Sequence, residues 1–191
     1  YRMYPTLSVF LPNGDFAGIY LNGGNYNIIG KMALAGRNKK ETWDQWYTGR
    51  FDLHPMKGLS VKGDYSWNRY STVQKFHRKE MTQTFPEGRD PYLVETPNYV
   101  RNYNSNNIYQ AINVWAEYKK SFNDVHNLSL MAGYNQEEKT YASTSYTMTD
   151  LYDNEMPISD LAINYKENEE GSDIWRVQGA FFRLNYDYRS K

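Results

Sequence analysis

The sequence contains no cysteine, and its charges cancel, with 22 Lys and Arg residues against 22 Asp and Glu residues. The absence of cysteine excludes a disulfide-stapled scaffold and any cysteine-based zinc site. Because the basic residues are scattered and are balanced by acidic ones, the chain has no net positive electrostatic field that would attract nucleic acid. We therefore expect no nucleic-acid partner. The chain also lacks a run of about 18 apolar residues, which excludes a transmembrane helix.

Aromatic residues are abundant instead, with 19 tyrosines among the 191 residues. In LSVKGDYSW (residues 59–67) the apolar side chains occupy every second position, and Lys62 and Asp64 lie between them. Side chains on a β-strand point alternately to opposite faces, so this pattern predicts an amphipathic strand. The pattern alone leaves open whether the apolar face meets the core of a soluble protein or the lipid around a barrel.

The same alternation predicts five strands, separated by segments that are alternately short and long. We place the strands at about residues 43–53, 59–70, 108–120, 127–137 and 174–189. The long polar segments are residues 71–107 and 138–173, and residues 1–42 are predicted as mostly loop, without a helix. Bacterial outer-membrane barrels alternate in this way between short periplasmic turns and long extracellular loops.

The charged positions between the apolar ones also favour a barrel. Arg50, Asp52 and Lys62 would be costly in a dry core but suit a hydrated lumen. We therefore predict that the other face contacts lipid, with Trp67 near the membrane interface. The predicted lipid-facing residues are Leu59, Val61, Tyr65, Trp67, Leu128, Leu130, Phe182, Leu184 and Tyr186. Since a closed barrel needs about eight strands, the expected fold is all-β, part of a larger antiparallel transmembrane β-barrel.

Four segments, in this order, resemble the barrel of SusC/RagA-type TonB-dependent transporters of Bacteroidota. They are PNG (12–14), GRFDLHPMKGLSVKGDYSW (49–67), HNLSLMAGYNQE (126–137) and GAFFRLNYDYRSK (179–191), the last with a slightly altered Gly-Phe-Phe spacing. The resemblance implies a protein of the bacterial outer membrane that imports glycans or oligopeptides and is energised through TonB. It also implies a SusD-like surface lipoprotein as partner, and a plug region that precedes this segment.

Aromatic residues of the two predicted long loops are candidates for contact with a substrate or a partner protein. Aromatic rings stack on sugars and on peptide side chains, and they anchor protein interfaces. The alternative is that they pack the loops against one another. The candidates are Phe76, Phe85, Tyr92, Tyr99, Tyr103, Tyr141, Tyr146, Tyr152 and Tyr165.

Acidic residues give weaker indications of catalysis or metal binding. Asp52, Asp64 and Asp187 recur on strand faces beside Arg and Lys, which favours a charge network over a catalytic carboxylate pair. No nucleophile–base arrangement is visible, so we expect neither enzymatic activity nor a cofactor. Residues 150–160 contain oxygen ligands of the kind that Ca²⁺ prefers, but a solvated acidic loop is the favoured interpretation.

Two other functions remain open from the sequence. One is a soluble β-sandwich that binds carbohydrate, and the other is a porin-type channel without a plug. A sandwich would bury the face of Leu59, Val61 and Tyr65 against a second sheet, whereas a barrel segment would leave that face uncovered.

Overall fold

The structure is a computed structural model that describes residues 8–17, 27–84, 90, 92–123 and 125–189. Its elements are α1 (Ile28–Leu34), β1 (Asn38–Met56), β2 (Leu59–Arg78), β3 (Met81–Gln83), β4 (Tyr92–Val94), β5 (Tyr99–Phe122), β6 (His126–Leu151), a 3₁₀ turn (Ser159–Leu161) and β7 (Ala162–Tyr188). Five strands form one antiparallel sheet in the order β1-β2-β5-β6-β7, and β3 pairs with β4 in a separate two-stranded sheet. The predicted all-β antiparallel class is confirmed, and the large sheet is not closed.

The chain divides into two compact units, and all five strands of the large sheet, β1, β2, β5, β6 and β7, contribute to both. Unit 1 comprises Tyr1–Glu41, Val73–Asn104 and Thr144–Glu169; unit 2 comprises Thr42–Thr72, Ser105–Ser143 and Glu170–Lys191. Four of the five buried apolar residues among the described positions lie in unit 1, namely Ala17, Met81, Val100 and Leu151. Unit 2 contributes Ala111 alone, so almost all of its apolar side chains are at least partly exposed.

One face of the sheet in unit 2 carries the apolar side chains of the alternating pattern. The rings of Tyr47 and Trp67 lie 5.7 Å apart, and the Tyr65 hydroxyl donates to Gln110 Oε1 at 2.8 Å. The face is uncovered, since Phe182 is 70% exposed. Among its described residues, unit 2 contains no second sheet that could bury this face. This arrangement contradicts the β-sandwich alternative, which requires a second layer.

The opposite face of unit 2 carries a network of polar contacts. Lys62 Nζ lies 3.1 Å from Asp52 Oδ2. Asn135 donates to Asn113 Oδ1 at 2.6 Å, and Asn113 in turn donates to Asp64 Oδ1 at 2.8 Å. A row of hydrogen bonds therefore crosses three neighbouring strands, β2, β5 and β6, beside the ion pair of Lys62 with Asp52.

The strands extend well beyond the predicted limits. β2 continues to Arg78 and β5 begins at Tyr99, so much of residues 71–107 is strand rather than loop. Likewise β6 continues to Leu151 and β7 begins at Ala162, within the predicted loop of residues 138–173. The reason is that inter-strand hydrogen bonds join backbone groups and do not require an apolar face. Where polar and apolar side chains are mixed on both faces of a strand, hydropathic alternation disappears although the strand continues.

The alternation of short and long connections persists with these new limits. The short ones are residues 57–58 and 123–125, and the long ones are residues 79–98 and 152–161. In the first short turn Gly58 has φ +84°, a left-handed conformation that glycine adopts without strain. Pro55 lies in β1, an outer strand of the sheet in this chain, where its missing N–H is tolerated.

Residues 1–42 contain a helix that the sequence did not predict, and β1 begins at Asn38 rather than at about residue 43. Helix α1 has seven residues and is capped by Asn27, which accepts from Gly30 N at 3.0 Å. The amide of Asn27 also donates to Ala17 O at 3.0 Å. The helix was not predicted because seven residues are too few to show an amphipathic repeat, and the buried asparagine that fixes it leaves no periodic signal in the sequence. No described helix is both long and apolar enough to cross a membrane.

Gly63 allows a close approach between strands, which predicts a specific sensitivity to substitution. A Cβ atom there would lie 2.6 Å from Phe51 Cζ and 2.7 Å from Asn113 O. We expect Gly63→Ala to lower the free energy of unfolding by about 1–3 kcal/mol, the usual cost of overpacking. Gly49→Ala is the matched control, because no atom lies within 4 Å of its Cβ position. Urea unfolding of the protein that contains this chain, in detergent micelles, measures both; equal losses would contradict the prediction.

Candidate functional site

Unit 1 contains a cavity of about 320 Å³ whose lining combines aromatic and charged side chains. Phe76, Tyr99 and Tyr103 supply aromatic rings. Arg101 and Glu169 supply opposite charges, and the lining is completed by Gln74 and Ser145. These residues come from the four strands β2, β5, β6 and β7, so the sheet brings together side chains that are distant in sequence.

The aromatic part of the cavity is held by contacts from the end of β2. The rings of Phe76 and Tyr99 are stacked, with centroids 5.5 Å apart and an interplanar angle of 27°. Arg78 places its guanidinium carbon 4.5 Å from the centroid of the Tyr99 ring. Its Nη2 donates to Pro97 O at 2.8 Å, and its Nη1 lies 3.5 Å from Glu95 Oε2. These contacts orient the Tyr99 ring within the cavity wall.

The positive charge in the cavity is already engaged. Arg101 donates from Nε to Thr147 Oγ1 at 3.0 Å and from Nη2 to Glu167 Oε2 at 3.3 Å. Thr147 is 2% exposed, so the first contact is partly buried, while the second lies at the surface. The guanidinium of Arg101 is therefore both positioned and neutralised by groups of unit 1.

Two asparagines, Asn98 and Asn154, hold together the backbone segments beside the cavity, and we call them the asparagine clasp. Asn98, which is 4% exposed, accepts from Leu151 N at 2.6 Å and donates to Leu151 O at 3.2 Å. Asn154 accepts from Glu80 N at 2.9 Å and donates to Glu80 O at 3.0 Å. Each side-chain amide thus bonds to both the N–H and the C=O of one residue, as the backbone of a neighbouring strand would. Because Asn98 directly precedes β5, the clasp fixes where Tyr99 enters the strand.

His77 is buried beside this region, with 5% of its surface exposed. Burial lowers the pKa of His77, and the neighbouring positive charge of Lys79 lowers it further. The imidazole therefore binds a proton less readily than a free histidine. Its Nε2 has no hydrogen-bond partner within the part of the chain that the structure describes.

The acidic segment of residues 150–160 uses its oxygens within the protein. Asp150 Oδ2 accepts from Asn164 Nδ2 and from Thr149 Oγ1, both at 2.9 Å, and these bonds lower the pKa of Asp150. Glu155 forms an ion pair with Lys79. Across the described ranges, no three His, Asp or Glu side chains are arranged to hold a metal ion.

The structure brings together three of the nine predicted contact residues, Phe76, Tyr99 and Tyr103, in the cavity. Three others lie outside the cavity lining and are exposed, namely Tyr146 (37%), Tyr152 (87%) and Tyr165 (58%). Tyr141 belongs to unit 2. Phe85 and the side chain of Tyr92 lie outside the described residues.

Sequence reasoning missed the polar members of the cavity, Gln74, Arg101, Ser145 and Glu169. A signal for one of them was present: Tyr99, Arg101 and Tyr103 alternate along the chain and share one face of β5. Treating the segment as a loop hid this alternation. Glu169 gave no comparable signal, because its proximity to the aromatic residues arises only when β7 joins the sheet.

No family model and no curated protein matches this sequence. Solved structures do match, and they include the RagAB peptide importer in its open-open and closed-closed states and the RagAB peptide transporter. The first two matches each have a TM-score of 0.71 and 17% identity, and cover 93% of this chain but 19% of the other. The chain thus spans about a fifth of the length of these neighbours. The likeness confirms the predicted barrel-segment fold.

The asparagine clasp predicts a local loss of stability when one of its members is shortened. Asn98→Ala would leave the N–H and C=O of Leu151 buried without their partners, at a cost of about 1–3 kcal/mol for each group. We expect faster amide hydrogen exchange in residues 150–154, measured by mass spectrometry on the full protein. Asn164→Ala is the matched control, since its bond to Asp150 is exposed. Unchanged exchange in Asn98→Ala would show that the clasp is dispensable.

Proposed function

We propose that this chain is part of the barrel of a TonB-dependent importer in the bacterial outer membrane, and that its substrates are oligopeptides. The observation that carries the proposal is the single-layer sheet of unit 2, apolar and uncovered on one face and hydrogen-bonded and charged on the other. A sheet with this division is suited to separate lipid from a hydrated lumen. The fold likeness to the RagAB peptide importer supports the same assignment.

The strand lengths are compatible with a membrane-spanning barrel that extends beyond the bilayer. β5, β6 and β7 have 24, 26 and 27 residues. About 9–11 residues of a tilted strand cross the bilayer, so a large part of each strand lies outside it. We propose that the strictly alternating segments cross the membrane. Their apolar positions, including Leu59, Leu128 and Phe182, then face lipid.

Oligopeptides are favoured over glycans as substrates because of the cavity in unit 1. Its lining contains one cationic and one anionic side chain besides its aromatic rings. Charged groups complement peptides, which carry ammonium, guanidinium and carboxylate groups, better than neutral sugars. The RagAB neighbours are themselves peptide importers.

Partner contacts follow from the same proposal. We propose that a SusD-like surface lipoprotein covers the importer, as in the family that the sequence resembles, and that the plug and TonB contacts belong to other parts of the polypeptide. Tyr152 and Tyr165 are 87% and 58% exposed and are available for such a partner. Exposed tyrosines are frequent anchors of protein interfaces.

The lipid-facing assignment predicts opposite environments for two adjacent residues. Leu130→Cys should place a nitroxide spin label in lipid, where oxygen relaxes it, because oxygen concentrates in the acyl chains. Ser129→Cys, on the other face, should place the label in water, where a nickel chelate relaxes it. This chain has no cysteine of its own, so within it each label is unique. Electron paramagnetic resonance on the full protein in liposomes distinguishes the two; equal access to the chelate would favour a water-soluble module.

If the chain belongs to a peptide importer, the stacked rings of Phe76 and Tyr99, which we call the aromatic wall of the cavity, should affect peptide uptake. In cells that express the full transporter, we expect the double variant Phe76→Ala, Tyr99→Ala to take up a fluorescent oligopeptide about tenfold more slowly, equivalent to about 1.4 kcal/mol of lost binding. Tyr70→Ala is the control, since Tyr70 lies on β2 but outside the cavity lining. Loss of TonB should abolish uptake. Uptake of oligosaccharides but not of peptides would establish the glycan alternative.

A further inference from the structure

We propose that the cavity of unit 1 is a subsite for an organic cation, an ammonium or guanidinium group of the transported oligopeptide, with Glu169 as its counter-ion. The inference rests on the proposed import of peptides and adds a charge preference to it. It depends on four features of the cavity: its residual charge, its remaining hydrogen-bonding capacity, its aromatic rings and its size.

The residual charge of the cavity is negative. Arg101 is balanced by Glu167, which lies 3.3 Å away. Glu169 lines the same cavity and forms no ion pair with any residue that the structure describes. The carboxylate of Glu169 therefore has no counter-ion among the described residues, in a cavity that also contains the stacked rings of Phe76 and Tyr99. An approaching cation supplies this missing charge, whereas an approaching anion meets Glu169 and must compete with Glu167 for Arg101.

The hydrogen-bonding groups of the cavity favour the same ligand. Gln74 donates its amide N–H to Asn38 Oδ1 at 2.8 Å, which leaves its carbonyl oxygen as an acceptor. Arg101 has committed Nε and Nη2 to Thr147 and Glu167. The carboxylate of Glu169 accepts only, and the Gln74 carbonyl adds a second acceptor. A ligand group rich in N–H donors therefore fits this lining.

The aromatic wall is suited to a cation, and the structure contains an example. Arg78 already lies 4.5 Å from the centroid of the Tyr99 ring, and Phe76 stacks against the same ring. The faces of aromatic rings attract ammonium and guanidinium groups through the ring quadrupole. A second cation within the cavity would be attracted by these rings and by the carboxylate of Glu169.

The volume of the cavity indicates how much of a peptide it can hold. At about 320 Å³ it lies at the lower end of the range for small-molecule pockets, about 300–1,000 Å³. This space holds one side chain or one terminus rather than a whole oligopeptide. The cavity is therefore a single subsite along a longer path.

The test is peptide binding by the full protein in detergent, measured by fluorescence anisotropy with a labelled heptapeptide series. The peptides have a Gly/Ala backbone and blocked termini, and the central residue is Lys, Arg, Gln or Glu. We expect Lys and Arg peptides to bind about fivefold more tightly than the Gln peptide, and the Glu peptide to bind most weakly. A Gln peptide with a free amino terminus forms a further arm. Tighter binding in that arm alone would support an ammonium subsite and identify the terminus as its source.

Two variants change the preference in opposite directions. Glu169→Gln should bring the Lys-to-Gln affinity ratio close to one. Arg101→Gln should raise the ratio, because it releases Glu167 as a second carboxylate. Glu170→Gln removes the same charge from the next residue, which is not part of the cavity lining, and should leave the ratio unchanged.

The failures of the two proposals are distinguishable. Peptide binding with no charge preference, or a preference that survives Glu169→Gln, would overturn this inference and leave peptide import standing. Tightest binding of the Glu peptide would assign the cavity to anions at Arg101 and overturn it as well. If wild type binds none of the peptides, the oligopeptide proposal itself fails, and the cation subsite fails with it.

Discussion

Inter-strand hydrogen bonding within a single-layer sheet is the constraint on which this structure depends. In unit 2 apolar burial contributes little, since Ala111 is its one buried apolar residue among the described positions. Order is maintained by the backbone ladder and by contacts across strands, such as the Tyr47–Trp67 ring pair and the Asp64–Asn113–Asn135 row. A sheet of this kind, with open edges and an uncovered apolar face, is unstable in water alone. In the proposed barrel, lipid would cover the apolar face and neighbouring strands would pair with the open edges.

Unit 1 is stabilised in a different way, because its connecting segments are held by polar side chains. The asparagine clasp gives the backbone of Leu151 and Glu80 the partners that a neighbouring strand would supply. The ion pairs of Glu95 with Lys31 and Arg78 attach further segments. Since buried polar groups are costly unless they are paired, such contacts specify one arrangement of the connections. The cavity depends on this arrangement, because Tyr99 follows Asn98 directly and Arg101 lies three residues after it.

Sequence reasoning predicted the centres of the strands better than their ends. The period of two in residues 59–67 reflects two different environments on the two faces, and the structure confirms the strand there. The pattern weakens towards Arg78 because apolar residues such as Val73 and Phe76 are mixed with polar ones on both faces, and the strand was therefore predicted too short. Phe76, Tyr99 and Tyr103 were predicted as contact residues on the basis of their aromatic rings alone. Their arrangement on neighbouring strands, which makes them one wall, could not be derived without strand register.

The sequence by itself determined the fold class, the two chemically distinct faces of the sheet and the alternation of short and long connections. All three follow from local periodicity and turn-forming residues, which depend on neighbours within a few positions. Only the tertiary structure decided that Arg101 is neutralised by Glu167, while Glu169, which lines the same cavity as Phe76 and Tyr99, has no ion-pair partner among the described residues. The physical reason is that charge balance within a cavity depends on distances between strands that are far apart in sequence. The register of the hydrogen-bond ladder sets those distances.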